Sequence, residues 1–146
     1  MKNKPIQKTL QLVFENPKIF KFFQERLLPR EYTKFKKHLV QKYADFNHTI
    51  IDFACGVGNI SEAIPSSSNS YIGVDINEKS IVAAKKLYPQ RQFILTKIGE
   101  LPFKDETAGT ILCFSILHHI SDTELEEVLL KFKKILTPDG RVIISD

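Results

Sequence analysis

Along the last two-thirds of the chain, apolar residues come in short runs separated by amphipathic stretches. This pattern predicts strands at 49–53, 71–75, 92–96, 108–114 and 141–146, a short helix at 59–64, and longer helices at 77–88 and 121–136. Before residue 47 the period is different. Ile19, Phe23 and Leu27, then Tyr32, Phe35, Leu39 and Tyr43, recur at helical spacing, and Pro29 divides two helices. Their aromatic stripe would either seal one side of a sheet or cover a pocket. Local punctuation agrees with the periodicity. Asn77 reads as an N-cap, Ser121 with Glu124 as a capping box, and Pro138-Asp139-Gly140 as a turn before the last strand.

Strands alternating with helices predict an α/β fold with a parallel sheet. Parallel strands joined by helical crossovers open at one edge, where ligands bind in such sheets, and the strands ending at Asp52, Asp75, Thr96 and Phe114 all reach it. The division expected is a helical cover segment at 1–46 and a core at 47–146.

The most informative stretch is Ile50-Ile51-Asp52-Phe53-Ala54-Cys55-Gly56-Val57-Gly58, an apolar strand that ends on an acid and enters a glycine loop. Glycines there let backbone approach a ligand closely. Tyr71-Ile72-Gly73-Val74-Asp75 ends on a second acid, at the spacing a βαβ unit needs for both acids to flank one nucleotide-like ligand. A dinucleotide fingerprint would want glycine where Ser61 stands and no acid at Asp52, which disfavours a nicotinamide cofactor.

Composition bounds the rest. With 146 residues, 42% of them hydrophobic, the chain has the size of one domain. Two cysteines, Cys55 and Cys113, are too few for a disulfide framework and suggest a reducing, cytoplasmic setting. No signal peptide or membrane-spanning run is read. Residues 1–48 hold eleven of the basic and four of the acidic residues, but Lys34, Lys36, Lys37 and Lys42 read as a solvated helical face rather than an RNA-binding surface. No metal-ligand spacing is present, since His118 and His119 are adjacent and the cysteines have no CxxC companion.

Taken together, Asp52–Gly58, Val74-Asp75-Ile76, Leu101-Pro102-Phe103, Leu117-His118-His119-Ile120 and Leu136–Arg141 resemble, in order, the blocks of class I S-adenosylmethionine-dependent methyltransferases that act on quinones, lipids and other small molecules. The resemblance covers about 45–146. It implies a Rossmann-like doubly wound sheet in the order 3-2-1-4-5, with the sixth and seventh strands of that family absent and the fifth strand left as an edge where the chain could self-associate or be covered by a partner. Ending at Asp146, the chain reads as a truncated or fragmentary member.

The resemblance also implies S-adenosylmethionine as cofactor, with Asp75 on the ribose hydroxyls and Asp52 toward the methionine amine. Ala54, Gly56 and Gly58 would lie along it, Ile76 and Ile98 would sandwich the adenine, and Phe114 and Ser115 would border the sulfonium arm. His118 or His119 is the candidate general base, with a structural place at a helix start as the other reading. Ala54 replaces a usual glycine, tolerable where the backbone is not left-handed, and Lys97 replaces an acid near the adenine amino group, with Glu100 as a substitute. The acceptor implied is a small or lipid-like molecule, with Phe14, Phe20, Phe23, Tyr32 and Phe35 covering its pocket. Phe114-Ser115-Ile116-Leu117 lacks the Pro-Pro-aromatic block of amino-methylating nucleic-acid enzymes, which argues against a nucleic-acid acceptor. A degenerate binding domain without turnover and an RNA methyltransferase are the alternatives.

Overall fold

Five parallel strands lie in the order β3-β2-β1-β4-β5 in the computed structural model, which describes residues 30–66 and 70–146. They are β1 (Thr49–Phe53), β2 (Tyr71–Asp75), β3 (Gln92–Leu95), β4 (Ala108–Phe114) and β5 (Leu136–Ser145). The described helices are α1 (Arg30–Tyr43), α2 (Glu78–Leu87) and α3 (Asp122–Ile135), with single 3-10 turns at Asn59–Ala63, Ile98–Glu100 and Leu117–His119. This is the doubly wound order expected, and the reversal between β1 and β4 opens a crevice at the strand ends.

Alternation along each strand supplies both faces of the sheet. Ile50, Tyr71, Leu112 and Phe114 join one core with Val40 of α1, Ile60 of the first 3-10 turn, and Ile81 and Ala84 of α2. Ile51, Phe53, Val74, Ile111 and Cys113 join the other with Val128, Phe132 and Ile135 of α3. Phe53 meets Phe132 edge to face at 5.1 Å. Because β4 is central and covered on both sides, all seven of its residues are buried, which explains its continuous apolar run. Cys55 and Cys113 are free thiols that join opposite cores, so adjacency of their strands does not bring them together.

One boundary and one helix face differ from the sequence reading. The Pro138-Asp139-Gly140 signal produces an excursion inside β5 rather than a turn before it. Ala108 pairs with Leu136 and Thr110 with Arg141, so the four residues between bulge out. In α1 the inward face is Tyr32, Lys36 and Val40, not Phe35 and Tyr43, which are 50% and 43% exposed. Residues before Arg30, with Phe14, Phe20, Phe23 and the first expected helix, lie outside the described residues.

Caps hold as expected. The Asn77 side chain accepts from the Ser80 N–H at 3.1 Å, and Ser121 and Glu124 form a reciprocal capping box. No described helix is long and apolar enough to cross a membrane. Replacing Ser121 by Ala is expected to lower the unfolding free energy by about 1 kcal/mol, read by urea denaturation; no change would mean the cap does not hold α3.

Candidate functional site

The crevice is a cleft of about 440 Å³ walled by the ends of β1, β2 and β4 and closed on one side by α1. Its geometry begins with Asp75. One carboxylate oxygen accepts the Gly56 N–H at 2.8 Å and the other the Asn77 N–H at 2.8 Å, so the end of β2 holds the loop after β1 and its own turn into α2. Cys55 N–H adds a bond to the Val74 carbonyl at 3.0 Å.

That loop is left-handed at three residues, Ala54 (φ 58°), Gly56 (φ 55°) and Gly58 (φ 79°). The two glycines have different reasons. A Cβ on Gly56 would meet nothing within 4 Å, so the missing side chain leaves open cleft. On Gly58 it would stand 2.7 Å from the Phe93 ring, so that glycine serves packing, and Gly58 is not in the cleft wall. Ala54, which lines the cleft, takes the left-handed conformation that the sequence reading needed it to avoid; its methyl costs about 1 kcal/mol or more there.

Asp52 forms the floor. It is only 2% exposed and accepts a hydrogen bond from the Tyr71 hydroxyl at 2.6 Å. Burial pushes its carboxyl up to about 7, against the opposing pulls of the Tyr71 hydrogen bond and the Lys36 ammonium; nearby Asp75 adds to the rise. The Cys55 thiol, also in the wall, is raised far above the thiol range by burial and the two carboxylates.

Opposite Asp52, α1 contributes Tyr32 and Lys36. The Lys36 ammonium donates to the Ser115 hydroxyl at 2.8 Å and lies 4.4 Å from the Tyr32 ring centre, and the Tyr32 hydroxyl is 3.0 Å from the same Ser115 oxygen. Burial lowers the Lys36 ammonium, and Tyr32 pulls it back. Lys36 is thus not part of a solvated face, a correction to the charge reading: helical geometry turns positions 32, 36 and 40 inward together. Lys34 faces outward, paired with Glu31, whereas Lys37 is half-buried, lines the cleft and pairs with Glu62 at 2.6 Å.

The remaining expected residues separate. Asp52, Ala54, Gly56, Asp75, Ile76, Phe114, Ser115 and His119 meet in the cleft wall, joined by Thr96 and Leu101. His118 instead directs Nδ1 to Asp146 at 2.9 Å, while its backbone N–H and that of Leu117 also bond Asp146. The Ile98 side chain lies outside the described residues. Lys97 and Glu100 are exposed and outside the cleft wall. Among the described residues no three His, Cys, Asp or Glu side chains cluster as metal ligands would. Sequence reasoning missed Tyr71 and Lys36; an aromatic opening β2 and a lysine one turn after Tyr32 were the available signals.

Chemically the cleft offers one rigid acceptor at its rim, one buried acid at its floor, an uncovered loop backbone and a phenol–ammonium pair. Two measurements check its construction. Ala54→Gly is expected to raise, and Gly58→Ala to lower, the unfolding free energy, by about 1 and about 2 kcal/mol or more, because the first removes a left-handed methyl and the second adds one against Phe93. Equal effects in chemical denaturation would refute the loop geometry. Asp52 also sets a pH dependence. Between its ordinary value and about 7 the folded chain keeps a proton that the unfolded chain releases, so its contribution to stability falls as pH rises through that window. Asp52→Asn is expected to gain stability relative to wild type as pH rises from about 4 to about 7; parallel pH curves would show that Asp52 is not so perturbed.

Comparison with known proteins agrees with this architecture. Residues 51–144 match the methyltransferase domain family. An uncharacterised methyltransferase of Schizosaccharomyces pombe is 29% identical over 111 residues, spanning 67% of this chain and 38% of the relative. Among solved structures, the PH0226 protein of Pyrococcus horikoshii superposes with a TM-score of 0.70 at 25% identity over 87% of this chain and 64% of that one. An S-adenosyl-L-methionine-dependent methyltransferase fold from Methanococcus maripaludis, described as such only provisionally, gives 0.70 at 19% over 90% and 64%. The chain therefore spans less than two-thirds of the length of each of these proteins. With the family match covering most of the chain and the sheet in its 3-2-1-4-5 order, this protein belongs to the methyltransferase domain family, with the class I fold.

Proposed function

We propose that the cleft binds S-adenosylmethionine and that the chain directs methyl transfer to a small-molecule or lipid-like acceptor. The observation that carries the reading is the pair of acids at adjacent strand ends, Asp52 buried at the floor and Asp75 at the rim, with the open side of Gly56 between them. The residues suit such a ligand. Asp75, already held by two backbone donors, is fixed in orientation and has lone pairs left for two ribose hydroxyls. Ile76, 68% exposed beside the cleft, offers an apolar face to the adenine. Asp52 would receive the cationic amine, and the turn at Phe114-Ser115 would border the methionine arm.

When bound, S-adenosylmethionine supplies an electrophilic methyl group on a sulfonium. The protein's part is alignment and exclusion of water, which Tyr32, Lys36 and Phe114 serve by narrowing the cleft around its acceptor side. A volume of about 440 Å³ suits small ligands. The free Cys55 and Cys113 support a cytoplasmic setting, and the outer edge of β5, with Ile144 48% exposed, is the place assigned to self-association.

Calorimetry with S-adenosylhomocysteine tests the reading. Binding is expected to strengthen as pH rises through about 7, as Asp52 ionises to meet the amine, and Asp52→Asn is expected to lose that rise. Asp75→Ala should weaken binding at least about a hundredfold, the scale of two hydrogen bonds to a charged acceptor. Wild-type affinity in folded Asp75→Ala would remove the site assignment.

A further inference from the structure

We propose that Tyr32 and Lys36, bridged by the Ser115 hydroxyl, are the proton-accepting pair of the reaction, and that the methyl acceptor is therefore a molecule methylated on an O–H or N–H group. This rests on the cofactor reading above and extends it to the acceptor's chemistry.

Two elements distant in sequence meet here. Tyr32 and Lys36 come from one turn of α1, and Ser115 from the end of β4, the turn assigned to the methionine arm. Ser115 has φ 55°, a left-handed conformation unusual for serine, and its N–H bonds the Ser145 carbonyl at 2.9 Å. Fixed this way, its hydroxyl stands 3.0 Å from the Tyr32 oxygen and 2.8 Å from Lys36 Nζ. Such a bridge lets a proton be shared, and all three residues line the cleft.

The electrostatics favour loss of one proton from the pair. Burial raises the Tyr32 hydroxyl, but hydrogen bonds with Ser115 and Ser145 and the Lys36 charge outweigh it and hold it below the ordinary phenol range. Burial also lowers Lys36. The charged groups facing Lys36 from other elements, Asp52 and Asp146, are acidic and favour the ammonium. A sulfonium entering the same cleft would oppose them, driving the pair to its form with one proton fewer, shared between phenolate–ammonium and phenol–amine states.

The proton balance is simple. As the acceptor's O–H or N–H bond breaks, its proton passes to the pair and that bond's electron pair remains on the acceptor atom. A lone pair on that atom forms the bond to the methyl carbon, and the carbon–sulfur electron pair stays on sulfur. The pair then returns the proton to water. His119, in the same wall, is the rival acceptor of that proton.

The test has a spectroscopic and a kinetic arm, both on the whole chain, with folding checked by thermal melting. In ultraviolet titration of tyrosinate, one of the four tyrosines is expected to ionise ahead of the others. Tyr32→Phe should remove that step, and Lys36→Met should shift it to higher pH. In the kinetic arm, labelled S-adenosylmethionine is incubated with a protein-free extract of small molecules. Tyr32→Phe is expected to lose at least about a hundredfold in transfer rate, with S-adenosylhomocysteine affinity within about threefold of wild type and the low-pH limb of the rate profile lost. Several results overturn the proposal: no early-ionising tyrosine; Tyr32→Phe transferring at the wild-type rate; His119→Gln removing the pH limb while Tyr32→Phe keeps it; or a wild-type chain that binds S-adenosylhomocysteine and labels nothing. Failure of the wild type to bind S-adenosylhomocysteine refutes the cofactor reading instead.

Discussion

The Asp75 carboxylate holds backbone N–H groups on two sides, Gly56 from the loop after β1 and Asn77 from the turn into α2. Parallel neighbours β1 and β2 end level with one another, and beyond that point the Cys55 N–H bond to the Val74 carbonyl adds one further rung. A charged acceptor reaching both loops supplies what the ladder cannot, since hydrogen bonds to an ionised group are stronger than those between neutral ones. The left-handed residues Ala54, Gly56 and Gly58 are thereby held in place, and the open side of Gly56 stays on the crevice. Asn77, placed by the same carboxylate, then caps α2 through Ser80. One side chain thus sets loop, helix start and cleft rim.

At the other end, charge balance governs the cleft. Asp52 lies under the sheet's end, where water is excluded, and among the described residues its counterweights are the Tyr71 hydroxyl and the Lys36 ammonium. Lys36 in turn sits against the Tyr32 ring and the Phe114 ring, at 4.4 and 5.6 Å from their centres. A carboxyl poised near neutrality is suited to a ligand that brings its own positive charge: the ligand's amine makes the ionised form favourable, and the proton is released on binding. On the proposed reading, the same crowding would make an ammonium costly once a sulfonium is present and so link cofactor loading to the protonation of the α1 pair.

The fold was legible because its signals are local and mutually consistent. Short apolar runs, Asn77, the Ser121–Glu124 box and two strand-end acids each fix a boundary, and helical crossovers impose the parallel order. The place of the two acids in the cleft wall followed from position alone, since strand ends in such a sheet open on the crevice. What sequence could not resolve was direction. Lys36 has the composition of a solvated face, yet the turn that buries Val40 also carries it inward. Gly58 and Gly56 look alike in a loop pattern, but only the contact with Phe93, a residue from another strand, distinguishes packing from open cleft. Adjacent His118 and His119 keep their ring centres 3.9 Å apart, yet only His119 lines the cleft, because Asp146 captures His118. Each of these depends on a neighbour distant in sequence.

The most direct measurement is a two-dimensional amide NMR titration of the chain with S-adenosylhomocysteine. Ligand held between the two acids is expected to move the amide signals of Gly56, Asn77 and Ser115 together, saturably and with one affinity, while those on the far side of α3 stay in place. Unmoved cleft amides, or shifts confined to another surface, would contradict the assignment of this crevice as the cofactor site.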